Sequence, residues 1–590
     1  MNYELASNKS NRSLWQTAKS FWPFLRKEKK NLVLSMFFLL LNAVSTLLAP
    51  IIIGKTIDRY IPKADYHGVI VNAGILLIID IVSLISSYYQ AKIMGTVGQN
   101  LLFKLRNAVF NKLQELPLAF FDLNKAGDLI SRINNDTDKL NHFFSQALMR
   151  FVESFFKMLG AAIFILSLHF KLGLTALSPA ILLVVFTQLV SDFVKRRNAA
   201  SLKAGGLMSA EIQESLDNFK VIVVFNRRDY FNEKFDTVNQ ENFKSSIKAG
   251  YANNIFTPVY GFAAHLAQVL VLFYGLYLIS IGDFTVGLLI SYLAYLNSFY
   301  NPIRQIAGVW ATFQVAIAAW DRISAILNLQ SNLPVIAENA NSLVKTKEDD
   351  NKTVLSFNHV SFSYPSGSQV LHDINLKLDK GKTYALVGPT GGGKTTTASL
   401  MARLYDPTAG QVLLNGHDIR SYDSNERTQK IGFILQEPFL FSGTIRENLL
   451  YGNQLYDGCS DQQLKEILNK HHLEKLLKRF DHGLETVVTG NGESISLGQR
   501  QLIAFMRIVL RNPELLILDE ATANVDTVTE QLLEEILQTL PKNTTKVIIA
   551  HRLNTIENAD QIFFVNSGTI IPAGSLKHAL SMLLKQKRSS

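Results

Sequence analysis

Long apolar runs fill the first half of the chain, and short alternating stretches fill the last third. The first run covers residues 31–53, close to the ~20 residues a helix needs to cross ~30 Å of hydrocarbon. Comparable runs recur at about 69–91, 148–168, 172–194, 255–280 and 286–309, which predicts six membrane-crossing helices. The connections between them differ in kind. The one near His169 and Lys171 is a few residues long, and the turn 281–285 carries no Lys or Arg. The segment after the fourth run holds Lys195, Arg196, Arg197, Lys203, Lys220, Arg227 and Arg228, and Lys9, Arg12, Lys19, Arg26, Lys27, Lys29 and Lys30 precede the first. Basic loops stay on the cytoplasmic side, so that side and the N-terminus are expected in the cytoplasm. An even number of spans then returns the C-terminal third there too. No small-residue cleavage site follows a short apolar core, so no signal peptide is expected.

Two long connections, 92–147 and 195–254, are polar with helical periodicity, which predicts helices that continue beyond the bilayer. Their tips are candidate contacts with the C-terminal third: Phe120, Phe121 and Asp122 with the stretch 127–132, and the stretch 211–215 with 224–227. Four features inside the runs carry polar chemistry. Asp80 stands mid-run, where a carboxylate is costly unless it meets water, a partner or a substrate path, so a cavity-lining role and a hydrogen bond to a neighbouring helix both stay open. Glu153 and Lys157 are spaced for a local ion pair. His265 and Asn297 read as packing or hydrogen-bonding residues. The Tyr and Phe residues of the last two runs either line a greasy pocket or make helix contacts.

Residues 1–30 are expected as a cytoplasmic segment, 31–328 as a transmembrane domain with two long cytoplasmic loops, 329–352 as a linker and 353–590 as an α/β P-loop domain. Strand alternation begins at Val354 and runs through Phe357, Val360, Phe362 and Tyr364. The apolar stretch 384–387 then leads into Gly388, Pro389, Thr390, Gly391, Gly392, Gly393, Lys394 and Thr395, followed by Thr396 and a helical segment. This spacing, with a strand before and a helix after, is a phosphate-binding loop. Backbone N–H groups converge on phosphate oxygens, the helix turns its positive end toward them, and Lys394 adds a full charge. Thr395 is then a ligand for Mg²⁺. Downstream, the buried-strand run 515–519 ends in Asp519 and Glu520. Asp519 is placed to hold Mg²⁺, and Glu520 to polarise the attacking water. Gln436, also a candidate Mg²⁺ ligand, and His551, after the strand 547–550, are candidate γ-phosphate and water contacts. Tyr364 is either an adenine-stacking ring or a core tyrosine.

Composition agrees. Hydrophobic residues make up 47% of 590 and charged residues 18%, against roughly 25% charged in soluble domains. The formal net charge is +10, and its placement beside apolar runs fits a membrane surface rather than nucleic acid. Cys459 is the only cysteine, which excludes an intrachain disulfide and argues against a thiolate metal site.

Over nearly its whole length the chain resembles an ATP-binding cassette exporter half-transporter. The most specific element is Ile495-Ser-Leu-Gly-Gln499-Arg-Gln, similar to the family signature Leu-Ser-Gly-Gly-Gln and just upstream of the 515–519 strand. The resemblance implies that Tyr364 stacks on adenine, that Gln436 is the lid-loop glutamine, that residues 523–526 with Asp526 form the D-loop, and that His551 is the switch histidine. It implies two cassettes meeting head to tail, with each ATP held by one P-loop and the other cassette's signature, here Ser496, Gly498 and Gln499. The expected cofactors are ATP and Mg²⁺, and the expected partner is a second half-transporter. Three departures stand out: Leu497 replaces a signature glycine, Asn524 replaces the usual D-loop serine, and 486–492 lacks the usual acids. A bulkier residue at 497 weakens the site built from this signature, so a heterodimer is favoured over a homodimer. The expected activity is ATP-driven export of hydrophobic or amphipathic compounds such as drugs or lipids from a bacterial plasma membrane. An ATP-gated channel or regulator is the alternative.

Overall fold

A computed structural model describes Tyr3, Leu5, residues 21–330, Leu333, Val335, Ile336 and residues 352–582, apart from 366, 491–493, 520–525, 550–556, 576 and 580, with only the backbone at 307, 310 and 311. The chain forms two compact units: one is helical, spanning residues 21–114 and 127–328; the other joins Tyr3, Leu5 and residues 115–126 to the described residues from 329 on.

The apolar runs of the helical unit become α1 (Lys29–Arg59) and α2 (Tyr66–Gln114), followed, beyond the short α3 (Leu118–Leu123), by α4 (Leu148–Leu168), α5 (Phe170–Asp217), α6 (Phe219–Val224), α7 (Arg228–Asn254), α8 (Phe256–Ser280) and α9 (Val286–Leu327). Among the described residues, 5 helices are long and apolar enough to cross a membrane, the expected runs one to five. The sixth expected run forms the first part of α9, with the side chain at 307 not described. Helices α2 and α5 extend well past their apolar runs, as the polar periodicity predicted.

Buried tyrosines on α9 hold the helices together. In a bilayer each hydroxyl must find an acceptor within the protein. Tyr292 donates to the His169 carbonyl at 2.9 Å, Tyr295 to Leu47 at 2.5 Å and Tyr300 to Ala176 at 2.8 Å, so α9 is pinned to α1, to α5 and to the turn before α5. The aromatic spacing of this run therefore serves helix contacts. At the end of α1, Asp58 accepts from Thr285 Oγ1 at 2.5 Å and from the Gly287 N–H at 2.8 Å, which satisfies donors at the start of α9. Lys157 and Glu153 form the expected ion pair, at 2.7 Å. Asp80 is exposed on α2.

The expected contact tip at 120–132 divides between the units. Arg132 meets Asp128 at 2.8 Å, and Arg322 meets Asp128 at 2.5 Å and Asp136 at 3.2 Å, so this stretch is tied into the helical unit by its own ion pairs. Phe120, by contrast, is fully buried in the other unit, and Asn124 binds the Tyr3 carbonyl at 2.9 Å.

That other unit is built on β1 (Thr353–Ser363), β2 (Gln369–Asp379), β3 (Thr383–Val387), β4 (Ala409–Leu414), β5 (Ile431–Ile434), β6 (Leu515–Asp519), β7 (Thr545–Ile549), β8 (Gln561–Asn566) and β9 (Thr569–Pro572). Antiparallel β2-β1-β4, edged by the two-residue strand His417–Asp418, forms one sheet. The second runs β9-β8-β3-β7-β6-β5 and is parallel except at β9. Its strands read as continuous apolar runs because both faces are covered; Leu515, Leu516, Ile517 and Val547 are fully buried. Phosphates bind at the carboxyl ends of such strands. The register sets Leu386, Ile549 and Asp519 at one level of that edge.

Candidate nucleotide-binding site

The loop between β3 and α10 (Lys394–Met401) is closed by backbone geometry. A Cβ on Gly388 would lie 1.9 Å from the Val565 carbonyl oxygen on β8, so no other residue fits there without moving a central strand. Gly393 caps α10 at φ 108°, a conformation side chains rarely adopt. Lys394 folds back over the loop, donating to the carbonyls of Gly388 at 2.9 Å and Pro389 at 3.0 Å. Its ammonium therefore hangs where a phosphate oxygen would be cradled. Gly391 and Thr390 are exposed at the tip, while Gly392 and Thr396 are buried.

Thr395, at the first turn of α10, donates to Asp519 Oδ1 at 3.5 Å. Asp519 is 6% exposed at the end of β6. A hydroxyl and a carboxylate meeting beside a P-loop are the hard oxygen ligands that Mg²⁺ takes together with phosphate oxygens and water. The residues present fit the ion.

Tyr364 is half-buried and does two things. Its hydroxyl shares a hydrogen bond with Thr396 Oγ1 at 3.1 Å, which ties it to the P-loop helix. Its ring stands edge-on to Phe362 at 4.9 Å and to Tyr405 at 5.3 Å. The core reading of Tyr364 is thus met by its ring contacts, and its hydroxyl places it beside the helix that follows the P-loop. Gln436 follows β5 in an exposed position. Glu520 and His551 lie outside the described residues; the strands that lead to them, β6 and β7, are adjacent and in register at Asp519 and Ile549.

The signature forms the start of α11 (Leu497–Val509). Ser496 Oγ accepts from the Gln499 N–H at 3.2 Å and the Gln499 side chain accepts from the Ser496 N–H at 2.9 Å, a reciprocal cap. Gln499 Nε2 also reaches the Arg479 carbonyl at 2.8 Å. Asp526 caps α12 (Thr527–Gln538) through Thr529, whose hydroxyl donates at 2.7 Å; that bond holds the Asp526 carboxyl below the ordinary range. Thr529 is also what a Cβ on Gly498 would meet, at 3.0 Å, so the signature and the cap of α12 adjoin. Among the described residues, the side chains of Ser496 and Gln499 bond each other's backbone and the Arg479 carbonyl, not the P-loop.

Two groups went unnoticed in the sequence. Arg507 on α11 donates to the Asn448 carbonyl at 2.7 Å and the Phe439 carbonyl at 3.3 Å, and lies 5.5 Å from the Tyr451 ring. Burial lowers its pKa to about 10. It fixes the loop that follows Gln436, and a lone cation in the apolar run 501–510 was the available signal. Tyr405 donates its hydroxyl to the Asp122 carboxylate. Burial first, and that carboxylate second, push the Tyr405 hydroxyl pKa up, so it stays a donor at physiological pH. Tyr405→Phe keeps the ring beside Tyr364 but removes this bond. We expect it to weaken the coupling between substrate and ATP hydrolysis by about 0.5–2 kcal/mol, read as a smaller ratio of substrate-stimulated to basal ATPase. An unchanged ratio removes Tyr405 from the coupling route.

The family described as "ABC transporter transmembrane region" matches residues 32–303, and that described as "ABC transporter" matches residues 371–523. The chain is an ABC transporter. It is 32% identical over 559 residues to an uncharacterized ABC transporter ATP-binding protein of Bacillus subtilis, covering 95% of this chain and 91% of that protein. It is 30% identical over 581 residues to the ATP-dependent lipid A-core flippase of Sodalis glossinidius, covering 97% of each chain. The fatty acid ABC transporter ATP-binding/permease protein of Mycobacterium tuberculosis is 30% identical over 511 residues, covering 87% of this chain and 79% of that one. This ABC transporter is thus a multi-pass membrane protein with a helical transmembrane region ahead of an α/β ATPase domain. It binds ATP and is a translocating ATPase that drives export. ABC exporters of this kind act as dimers.

Proposed function

We propose that this ABC transporter exports amphipathic compounds from the cytoplasmic leaflet, with residues 31–328 as its transmembrane domain, 329–352 as linker and 353–590 as its cassette. Both termini are cytoplasmic and the membrane is a bacterial plasma membrane. The observation that carries the ATP-driven part is a P-loop closed over by Lys394 with, at the same carboxyl edge of the sheet, Thr395 bonded to Asp519. The relatives named for lipid A-core and fatty acid support an amphipathic cargo.

Lys394 and the loop from Gly388 to Thr396 hold the phosphates, Tyr364 stacks on adenine, and Thr395, Asp519 and Gln436 ligate Mg²⁺, which neutralises phosphate charge when bound. Glu520 orients the attacking water, with His551 at the γ-phosphate. Ser496, Gly498, Gln499 and Asp526 serve the ATP on the opposite cassette. ATP drives the cycle only because it binds the closed cassette pair better than the open one.

The second cassette belongs to a different chain in this reading. Leu497 occupies the first helical position of α11, beside the two residues that face the opposite nucleotide. The site built from it hydrolyses poorly, so a partner with an intact signature must complete the Glu520 site. Purification of the tagged chain from its host is expected to recover a second half-transporter, and the pair to hydrolyse ATP faster in the presence of amphipaths. A homogeneous preparation of this chain alone with full amphipath-stimulated ATPase would rule out the heterodimer. Absence of ATP-dependent uptake of any amphipath into inverted vesicles by the purified complex would rule out export.

A further inference from the structure

The side of α9 turned away from its buried tyrosines carries a polar ladder. Asn297, Asn301 and Arg304 recur at i, i+4 and i+7, and all three are exposed. Such spacing places them on one helix face, spread over about 10 Å at 1.5 Å per residue. At the top of the ladder α8 joins in. The Gln268 amide donates to Asn297 Oδ1 at 3.2 Å, and Gln268 Oε1 meets His265 Nδ1 at 3.2 Å.

Depth makes this arrangement informative. Arg304 lies 18 residues beyond Val286, the first residue of α9, about 27 Å along the helix axis. With the orientation proposed above, that is the inner edge of a ~30 Å hydrocarbon layer, and Asn297 and His265 stand deeper in it. Polar groups at such depth are expensive against lipid and mark water-filled paths or bound polar groups. Among the described residues Arg304 has no carboxylate partner, whereas Arg322 on the same helix has two. The only acid between residues 256 and 309 is Asp283, in the turn before α9. Within α8 and α9 the ladder thus offers one guanidinium and a series of amides and no carboxylate, and the acid on the adjoining α4, Glu153, is already paired with Lys157.

We propose that it is a headgroup site for anionic amphipaths. A carboxylate or phosphate at the end of an alkyl chain enters from the inner leaflet at Arg304, whose planar fork matches either anion. It is then passed to the amides of Asn301, Asn297 and Gln268 and to His265 as it moves inward. Phe262 and Val269, exposed three residues before and four after His265 and so on its face of α8, take the alkyl chain. This assignment rests on the export reading above and narrows it to one charge class.

The test uses the transporter with whatever partner co-purifies, in neutral phosphatidylcholine nanodiscs. Four dodecyl probes differ only in the head: laurate, dodecyl phosphate, dodecanol and dodecyltrimethylammonium. We expect both anions to stimulate ATPase at about a tenfold lower concentration than the other two, a 1.4 kcal/mol preference. R304Q is expected to remove that preference relative to the dodecanol response, and R304K to restore part of it. N297L and Q268L should lower the maximal response to the anions. Displacement of a fluorescent fatty acid without ATP supplies a second readout, independent of turnover. Phosphatidylglycerol added to the discs separates the sources: if it competes with laurate in the wild type and not in R304Q, a resident lipid headgroup shares the site, which supports the anionic chemistry. Equal potency of all four heads, a preference for the ammonium probe, which would point to Asp80 instead, or an R304Q shift common to every probe overturns the assignment while leaving export of amphipaths intact. If no probe changes ATPase or displaces the fatty acid, the export reading itself fails and takes the assignment with it.

Discussion

Glu520→Gln is expected to lower ATP turnover by about 10²–10³-fold while leaving ATP bound and the cassettes closed. The residue before it, Asp519, is buried at the end of β6, next to β7 and one strand further from the P-loop strand β3. In the assignment proposed above Asp519 and Thr395 serve the metal, which leaves the next carboxylate along the chain to polarise water, and positioned general bases are worth about 10²–10⁴ in rate. Glutamine keeps the size and loses the basicity, so chemistry stops after closure rather than before it. The measurement is ATPase rate together with retention of labelled ATP after rapid desalting. Turnover near the wild-type rate excludes Glu520 as the base. Loss of ATP retention along with turnover points instead to a metal or folding role, and Asp519→Asn is the control that should show that pattern.

Gly388→Ala is expected to damage both nucleotide binding and the cassette itself. The added methyl would stand 1.9 Å from the carbonyl oxygen of Val565, which is main chain on a central strand and has nowhere to retreat. Overpacking of this kind costs typically 1–3 kcal/mol, and relief by sliding β8 disturbs the pairing of Phe564 with Val387. We expect a melting temperature several degrees lower and ATP affinity reduced by an order of magnitude or more, the second measured with a fluorescent ATP analogue. Gly391→Ala is the comparison: a Cβ there meets nothing within 4 Å, so only its φ of 81° is strained. If the two alanines behave alike, close approach at Gly388 is not what the loop depends on.

Much of this protein is legible one residue at a time. Apolar runs of bilayer length become helices because the backbone in lipid must satisfy its own hydrogen bonds, and that requirement is local. The P-loop, the 515–519 strand and the signature are equally local: each is a strand or helix end whose residues supply cradle, metal ligand or cap. The i, i+4 ion pair of Glu153 and Lys157 belongs to the same class.

What pairing across hundreds of residues decides is different in kind. No periodicity reveals that Tyr405 will meet Asp122, 283 positions away, whereas Thr395 and Asp519, 124 apart, are expected together from their motifs as ligands of one Mg²⁺. The anchoring of α9 by three tyrosine hydroxyls required knowing which carbonyls of α1 and α5 stand opposite. The polar ladder needed both kinds of information: the spacing of Asn297, Asn301 and Arg304 is written in the chain, but only the packing of α8 against α9 brings His265 and Gln268 to its head. The sequence by itself therefore determined the long apolar helices, the ATPase class and the place of the P-loop between β3 and α10, because those follow from short-range periodicity and backbone chemistry. The tertiary structure alone decided which side chains act together, because a contact energy exists only between groups that folding has brought within a few ångströms.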